Sequence, residues 1–230
     1  MNNNFTQYEL EQQETSNSFL SRVFMWMFAG LFLTAILSFS VATNEALLYI
    51  IYSNRILFYG LIIAEIGIVF FLSARAHKMS FAGALTGFML YSALNGITLS
   101  VVLLAYGLDV VSKVFIGTAL IFAVMAIYGK MTKTDLNAFR AFFVMGIVGM
   151  IIMSVINIFI PSQGMNLIIG YLGVAVFSGL TAYDIQKLKH FQRGSVKQAE
   201  GNMAIIGALM LYLDFINLFL SLLRIVGGRD

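Results

Sequence analysis

Residues 203–223 read MAIIGALMLYLDFINLFLSLL, an apolar run that contains a single acidic residue, Asp214. A helix needs about 20 apolar residues to cross the roughly 30 Å of hydrocarbon in a bilayer, and this run is long enough to cross once. Because backbone amides in lipid have no water to bond, the crossing must be helical. The stretch therefore predicts a transmembrane helix that carries a carboxyl group inside the membrane.

The rest of the chain contains more runs of this kind. The predicted spans are 24–41, 56–74, 81–106, 114–129, 141–160, 167–183 and 203–223. Apolar residues make up 60% of the chain and charged residues 11%, whereas soluble domains have about 45–50% and about 25%. The predicted fold class is an all-α membrane protein with seven transmembrane helices.

The amino-terminal segment differs from everything that follows it. Residues 1–21 are rich in Asn, Gln, Glu, Ser and Thr and have too little apolar material to fold alone. We expect a disordered or loosely helical cytoplasmic tail, followed by one transmembrane domain over 22–230. A cleavable signal peptide is the competing interpretation, but its apolar region spans about 7–15 residues, and the run after Arg22 is longer.

Lys and Arg residues are distributed unevenly between the connections, and this asymmetry predicts the orientation. With the amino terminus inside, the inner segments carry Arg22, Arg75, Lys78, Lys130, Lys133, Arg140, Lys187, Lys189, Arg193 and Lys197. The outer segments carry Arg55, Lys113, Arg224 and Arg229. Basic residues are enriched on the cytoplasmic side of membrane proteins. We therefore expect a cytoplasmic amino terminus and, after seven crossings, a carboxyl terminus on the other side.

Composition excludes several classes of function. The chain has no Cys, so it contains no disulfide, thiolate metal site or Cys nucleophile. Its basic residues form short clusters between apolar runs and do not form the continuous stripe that follows a phosphate backbone. Nucleic acid is therefore not an expected partner, whereas the lipid bilayer is.

Two carboxyl groups in the last two predicted helices are the main candidates for a site. Ionisable groups inside a membrane cost several kcal/mol, so each is a functional candidate. Asp214 lies eleven residues beyond Met203, roughly 16 Å along the helix. Asp184 ends the preceding helix, and helices joined by one short connection usually pack together. Such a pair tends to hold one proton and, when ionised, offers the oxygen ligands that Ca²⁺ prefers.

Three further charges accompany this pair. Arg75, at the inner end of the second predicted helix, is a plausible counter-ion that would hold the pair in a closed arrangement. Glu65 and Arg224 lie toward the outer side and are interpreted as a supporting ion pair. Two of the candidate residues have a simpler interpretation: Asp184 as an interfacial residue in water, and Arg75 as an anchor on the cytoplasmic surface.

Two stretches resemble a known family. FSGLTAYDIQ at 177–186 and ALMLYLDFINLF at 208–219 are similar to the corresponding helices of the Bax inhibitor family, also called transmembrane Bax inhibitor motif proteins. The resemblance implies a seven-helix fold with a central last helix wrapped by two three-helix layers. It also implies a calcium leak governed by pH, with Asp184 and Asp214 as the proton- and calcium-binding pair and Arg75 as the latch. Calcium would be the transported ion, no cofactor is implied, and the location would be a bacterial inner membrane.

Two other functions use the same carboxyl groups. A proton-coupled transporter would carry protons on them and bind its solute at broken helices. An intramembrane aspartyl protease would activate water with them, but its second motif is Gly-x-Gly-Asp, and Asp214 follows Leu211, Tyr212 and Leu213. We therefore expect that the chain is not an enzyme. The sequence identifies no protein partner and is compatible with a monomer.

Overall fold

The structure is a computed structural model that describes residues 2–75, 78–191 and 197–227, with side chains over 16–75, 78–189 and 201–227. Arg193, Arg229 and the side chain of Lys197, which entered the orientation argument, lie outside these described parts. The regular elements in the described ranges are all helical. They are α1 (Asn2–Ala42), α2 (Glu45–Ser53), α3 (Arg55–Arg75), α4 (Phe81–Met131), a short 3-10 helix (Leu136–Phe139), α5 (Arg140–Phe159), α6 (Gln163–Phe191) and α7 (Lys197–Gly227).

Six of these helices, all but α2, are long and apolar enough to cross a membrane. The 51 residues of α4 would extend roughly 77 Å as one rod, more than twice the thickness of the hydrocarbon layer. Gly107, with φ 74° and ψ 156°, interrupts it, at the boundary between the predicted spans 81–106 and 114–129. The fold class, an all-α membrane protein, is confirmed.

The beginning of the chain is more regular than its composition predicts. Helix α1 starts at Asn2 and continues into the first span without a break. Among its described side chains, which start at residue 16, the first buried ones are Phe19 and Leu20, 2% and 3% exposed. Apolar packing therefore includes residues that precede the predicted boundary at residue 21. The division into a tail over 1–21 and one domain over 22–230 stays a prediction.

The short helix α2 was not predicted. Its nine residues cannot cross a bilayer, and its start is capped by Asn44, which accepts a hydrogen bond from the Leu47 N–H at 3.1 Å. Asn54 caps α3 in the same way through the Leu57 N–H at 3.1 Å. Asn is one of the preferred residues for this position because its side-chain oxygen satisfies an otherwise unbonded helix donor.

The described helices form two compact units. The first comprises Met1–Gly107 and Leu188–Tyr212, and the second comprises Leu108–Lys187 and Leu213–Asp230. Helix α7 contributes to both. It is also the most buried span, with 67% of its apolar segment buried against 6–33% in the other spans, as expected of a helix that is packed on several sides.

In the first unit the core forms around Tyr212, whose ring is fully buried. Phe88 and Tyr91 of α4 pack against it edge-on, each with a centroid distance of 5.7 Å. Gly96 lets α4 approach α1 closely, because a Cβ there would overlap the backbone of Thr34. Close backbone approach at small residues is the usual way in which membrane helices gain packing energy.

In the second unit the core forms around Phe215 of α7. Its ring packs against Phe115 and Phe122 of α4, with centroid distances of 5.2 and 5.6 Å. A second cluster joins Leu136, Phe143, Ala182 and Tyr183. Phe215 and Tyr183 are the immediate chain neighbours of the two acidic residues of the predicted site, so both acidic residues adjoin packed parts of this unit.

Candidate functional site

Asp184 and Asp214 both belong to the second unit, Asp184 on α6 and Asp214 on α7. Their side chains are 7% and 6% exposed, and their carboxyl groups are close enough to interact electrostatically. The structure thus brings together the two residues that the sequence paired. Asp184 is buried in protein, which does not match the simpler interpretation of a solvated interfacial residue.

One carboxyl oxygen of this pair has no partner. Among the described residues, the fully buried side-chain polar atoms without a hydrogen bond are Ser38 Oγ, Ser178 Oγ and Asp214 Oδ2. A buried polar atom without a partner costs about 1–3 kcal/mol, and more if the group is charged. Asp214 Oδ2 is therefore a buried acceptor with no hydrogen-bond donor among the described residues.

The surroundings of Asp214 are apolar on the α7 side. Phe215 follows it and lies within the ring cluster of α4 described above. The next polar side chains of α7 bond to their own helix: Asn217 Nδ2 donates to the Leu213 carbonyl at 2.8 Å, and Ser221 Oγ donates to the Asn217 carbonyl at 2.6 Å. Neither side chain donates a hydrogen bond to Asp184 or Asp214. In apolar surroundings the dielectric is low, and this strengthens the electrostatic interaction between the two carboxyl groups.

Close helix contacts fix the position of α6. A Cβ on Gly129 of α4 would overlap the backbone of Ala182, two residues before Asp184. On the other side of α6, a Cβ on Gly173 would overlap the side chain of Ser221 on α7. Gly179 packs in the same way against the side chain of Phe143 on α5. These glycines allow the close packing of α6 that sets the distance between Asp184 and Asp214.

The end of α6 beyond Asp184 is tied down by polar contacts. Gln186 is 7% exposed; its Nε2 donates to the Thr134 carbonyl at 2.8 Å, and its Oε1 accepts from the Leu136 N–H at 2.9 Å. Lys187 interacts electrostatically with Asp184, and its Nζ lies 5.9 Å from the centroid of the Tyr183 ring. The connection between α4 and α5 is thus hydrogen-bonded to α6, the helix that carries Asp184.

The remaining predicted site residues are placed as follows. Arg75 is the last residue of α3 in the first unit, and its guanidinium lies 5.9 Å from the centroid of the exposed Phe71 ring. Glu65 is in the middle of α3 and accepts hydrogen bonds from Thr98 and Asn95. Arg224 is in the last turn of α7 in the second unit. The latch role of Arg75 and the pairing of Glu65 with Arg224 stay predictions.

Sequence reasoning missed Gln186 and Tyr212 as members of polar networks. Gln186 is the last residue of the stretch 177–186, and Tyr212 lies in the stretch 208–219, two residues before Asp214. A polar side chain within an apolar span must find a hydrogen-bond partner. The presence of Gln186 and Tyr212 in such spans could therefore have predicted that each forms a hydrogen bond. The identity of the partners required the packing of other helices.

Calcium binding by the two carboxyl groups stays a prediction. Among the residues that the structure describes, no group of three or more His, Cys, Asp or Glu side chains could hold a metal ion. Ca²⁺ takes six to eight oxygen ligands. Two carboxylates could supply only part of that set, and backbone carbonyls or water would supply the rest.

Comparison with known proteins agrees with this architecture. A family model described as "Inhibitor of apoptosis-promoting Bax1" matches residues 16–230. The chain is 41% identical over 215 residues to "Inner membrane protein YbhL" of Escherichia coli (strain K12), covering 92% of each chain. It is 40% identical over 223 residues to an uncharacterized protein of Borreliella burgdorferi, covering 95% of this chain and 96% of the other. It is also 39% identical over 228 residues to an uncharacterized protein of Deinococcus radiodurans, covering 97% of each.

Proposed function

This chain belongs to the Bax inhibitor family, and we propose that it is a pH-regulated calcium leak in which Asp184 and Asp214 bind the ion and the proton. The observation that carries the proposal is the buried carboxyl pair, with Asp214 Oδ2 left without a partner among the described residues. The chain is a multi-pass membrane protein. Its relative in Escherichia coli is named for the inner membrane, and we extend the proposal to a bacterial inner membrane with a cytoplasmic amino terminus.

The chemistry of the pair supports an ion-binding role that responds to pH. When both groups are ionised, their oxygens repel each other, and a divalent cation relieves this repulsion by binding between them. When one is protonated, a hydrogen bond between the two replaces the cation. Protons and calcium therefore compete for the same oxygens.

A leak requires that the ion leave as readily as it enters. Two carboxylates are fewer than the ligands of a high-affinity site, so calcium held here would exchange quickly. The latch assigned to Arg75 by family resemblance belongs to the same proposal. Its guanidinium would compete with calcium for the ionised pair when the protein is closed.

The experiment is calcium flux into liposomes that contain the purified protein and an entrapped calcium-sensitive dye, measured over a range of pH. Asp214→Asn keeps the size of the side chain and removes its charge. We expect it to lower flux by about tenfold or more and to abolish the pH response, which corresponds to about 1.4 kcal/mol or more of lost stabilisation. The matched control is Asp109→Asn, because the Asp109 side chain is 78% exposed and bonds Lys113 on its own helix.

Unchanged flux and pH response in Asp214→Asn would remove the pair from the mechanism. A flux that needs both a proton gradient and a second solute would point instead to the proton-coupled transporter. Passive calcium flux without any second solute supports the leak.

A further inference from the structure

A third carboxyl group lies in a candidate membrane span, in the first unit and on a different helix from the aspartate pair. Glu65 is ten residues from each end of α3 (Arg55–Arg75), or about 15 Å of helix from each end. Thr98 Oγ1 donates to its Oε1 at 2.7 Å, and Asn95 Nδ2 lies at 3.5 Å from its Oε2. Among the described residues of the first unit, no basic side chain pairs with it. Glu65 is therefore held by neutral donors at the midpoint of a span.

The hydrogen bonds continue from Glu65 into the core. Asn95 is 8% exposed, and its Oδ1 accepts from the Tyr212 hydroxyl at 3.0 Å. The Tyr212 oxygen is 2.7 Å from Thr34 Oγ1, which also reaches the Ser92 carbonyl at 2.8 Å. A single chain of hydrogen bonds thus links Glu65 on α3 through α4 to α7 and α1.

The contact with Thr98 suits both charge states of Glu65. A hydroxyl has one proton to donate, and Thr98 Oγ1 has three acceptors within reach: Glu65 Oε1 at 2.7 Å, the Asn95 carbonyl at 3.1 Å and the Leu94 carbonyl at 3.4 Å. Facing an ionised carboxylate, Thr98 donates to Glu65. Facing a protonated one, it accepts from Glu65 and turns its own proton to the Asn95 carbonyl. The proton can be gained or lost without moving a heavy atom.

The hydroxyls at the far end have the same freedom. Tyr212 and Thr34 hold two protons between them, and there are three contacts to fill: Asn95 Oδ1, the contact between the two hydroxyls, and the Ser92 carbonyl. A proton in the 2.7 Å contact between the two hydroxyls leaves two possible orders. In one order Thr34 donates to Tyr212 and Tyr212 to Asn95. In the other, Tyr212 donates to Thr34 and Thr34 to Ser92. The two orders differ in whether Asn95 Oδ1 accepts a hydrogen bond from Tyr212.

The charge of Glu65 selects between these orders. An ionised carboxylate pulls on the Asn95 amide hydrogen, which polarises the amide and makes its Oδ1 a stronger acceptor. Tyr212 then donates to Asn95. A neutral carboxyl removes this polarisation and favours donation toward Thr34.

We propose that Glu65 is a proton-binding site separate from the aspartate pair, and that Asn95 relays its charge state to the Tyr212 hydroxyl of α7. The titratable groups facing Glu65 are Tyr91 of α4 and Tyr212 of α7, both of which interact with it electrostatically. Both are phenols, which stay neutral where carboxyl groups titrate. The helix α1 contributes Thr34, which is uncharged. The proposal does not require calcium, so it stands or falls independently of the leak.

The test is infrared difference spectroscopy of the purified protein in lipid nanodiscs, comparing acidic with alkaline buffer. We expect a carboxylic-acid C=O band that is lost in Glu65→Gln and retained in Asp184→Asn and Asp214→Asn. A phenol band should change with it, and this change should be lost in Tyr212→Phe. Glu45→Gln and Tyr59→Phe are the matched controls, because both residues are exposed.

A further variant keeps the carboxyl group, in case Glu65→Gln does not fold. Thr98→Val has nearly the same shape and removes the shortest hydrogen bond to Glu65, so the C=O band should move to higher wavenumber. The proposal is overturned if the Glu65→Gln spectrum equals that of the wild type, or if the Thr98→Val band does not move. It is also overturned if no phenol band accompanies the titration in the wild type. Loss of calcium flux alone would not bear on any of these outcomes.

Discussion

The backbone N–H of Leu136 donates to Gln186 Oε1 at 2.9 Å, and this bond joins the connection between α4 and α5 to the helix of Asp184. The Nε2 atom of the same Gln186 side chain donates to the Thr134 carbonyl at 2.8 Å. Both bonds are formed by one buried side chain. Replacing that side chain therefore leaves a backbone donor and a backbone acceptor without partners.

Gln186→Leu should loosen this connection while leaving α6 intact. Loss of a partner for a buried backbone donor costs about 1–3 kcal/mol, so hydrogen exchange at the Leu136 amide should accelerate by roughly tenfold to a hundredfold. The internal control is the Asn137 amide, which bonds Asp135 Oδ1 at 3.0 Å and does not involve Gln186. Equal protection of Leu136 in the variant and the wild type would show that the bond contributes nothing.

Calcium binding to the aspartate pair should weaken as pH falls. Ca²⁺ binds ionised carboxylates, and each proton bound to the pair neutralises an oxygen that the cation needs. By linkage, calcium added to the protein in weakly buffered solution should release protons. Titration with a pH electrode should detect this release in the wild type and in Asp109→Asn, and not in Asp184→Asn. Proton uptake on calcium addition would reverse the assigned sign and contradict competition.

Gly129→Ala should destabilise the second unit, because the added methyl group would overlap the backbone of Ala182. Overpacking of this kind costs about 1–3 kcal/mol, measurable as a shift in reversible unfolding in mixed micelles. Gly117→Ala, on the same helix and with nothing within 4 Å of the added Cβ, is the matched control. It should be neutral or stabilising by up to about 1 kcal/mol, because alanine favours helix more than glycine. Equal stabilities for the two variants would rule out the close contact between α4 and α6.

Gly107→Ala should be destabilising for a different reason. Nothing lies within 4 Å of a Cβ at this position, but φ of 74° with ψ of 156° is a conformation that only glycine adopts readily. The expected cost is about 1–3 kcal/mol of unfolding free energy. Gly60→Ala, also with open space around the added Cβ and with no positive φ, should show no such loss. If both variants unfold alike, the backbone at Gly107 is not restricted as described.

Much of the fold could be predicted from apolar run length. The spans over 56–74 and 141–160 match α3 (Arg55–Arg75) and α5 (Arg140–Phe159) within a residue at each end, because Arg at a helix end marks where hydrocarbon gives way to polar surroundings. The short helix α2 could not be predicted in this way. Helix α2 was missed because nine residues are too few to produce a span signal, and its start depends on the Asn44 cap.

The candidate site was predictable only in part. Asp184 and Asp214 were identified because placing a carboxyl group in an apolar span costs free energy, and this marks the residue as a functional candidate. Gln186, Thr98 and Tyr212 gave a weaker signal, because an uncharged polar side chain in a span costs less and can bond its own helix, as Asn217 does. Their roles depend on which atoms of other helices lie opposite them.

The sequence by itself determined that this chain lies in a membrane, roughly where it crosses, and which carboxyl groups are placed there against the cost of burial. These properties follow from local composition, because transfer into lipid depends on each segment separately. Only the tertiary structure decided that Asp184 and Asp214 interact, that Asp214 Oδ2 is left without a partner among the described residues, and that Glu65 is bonded to Thr98. Hydrogen bonds and electrostatic pairing depend on distances of a few ångströms between helices, and close contacts such as that of Gly129 with Ala182 set those distances.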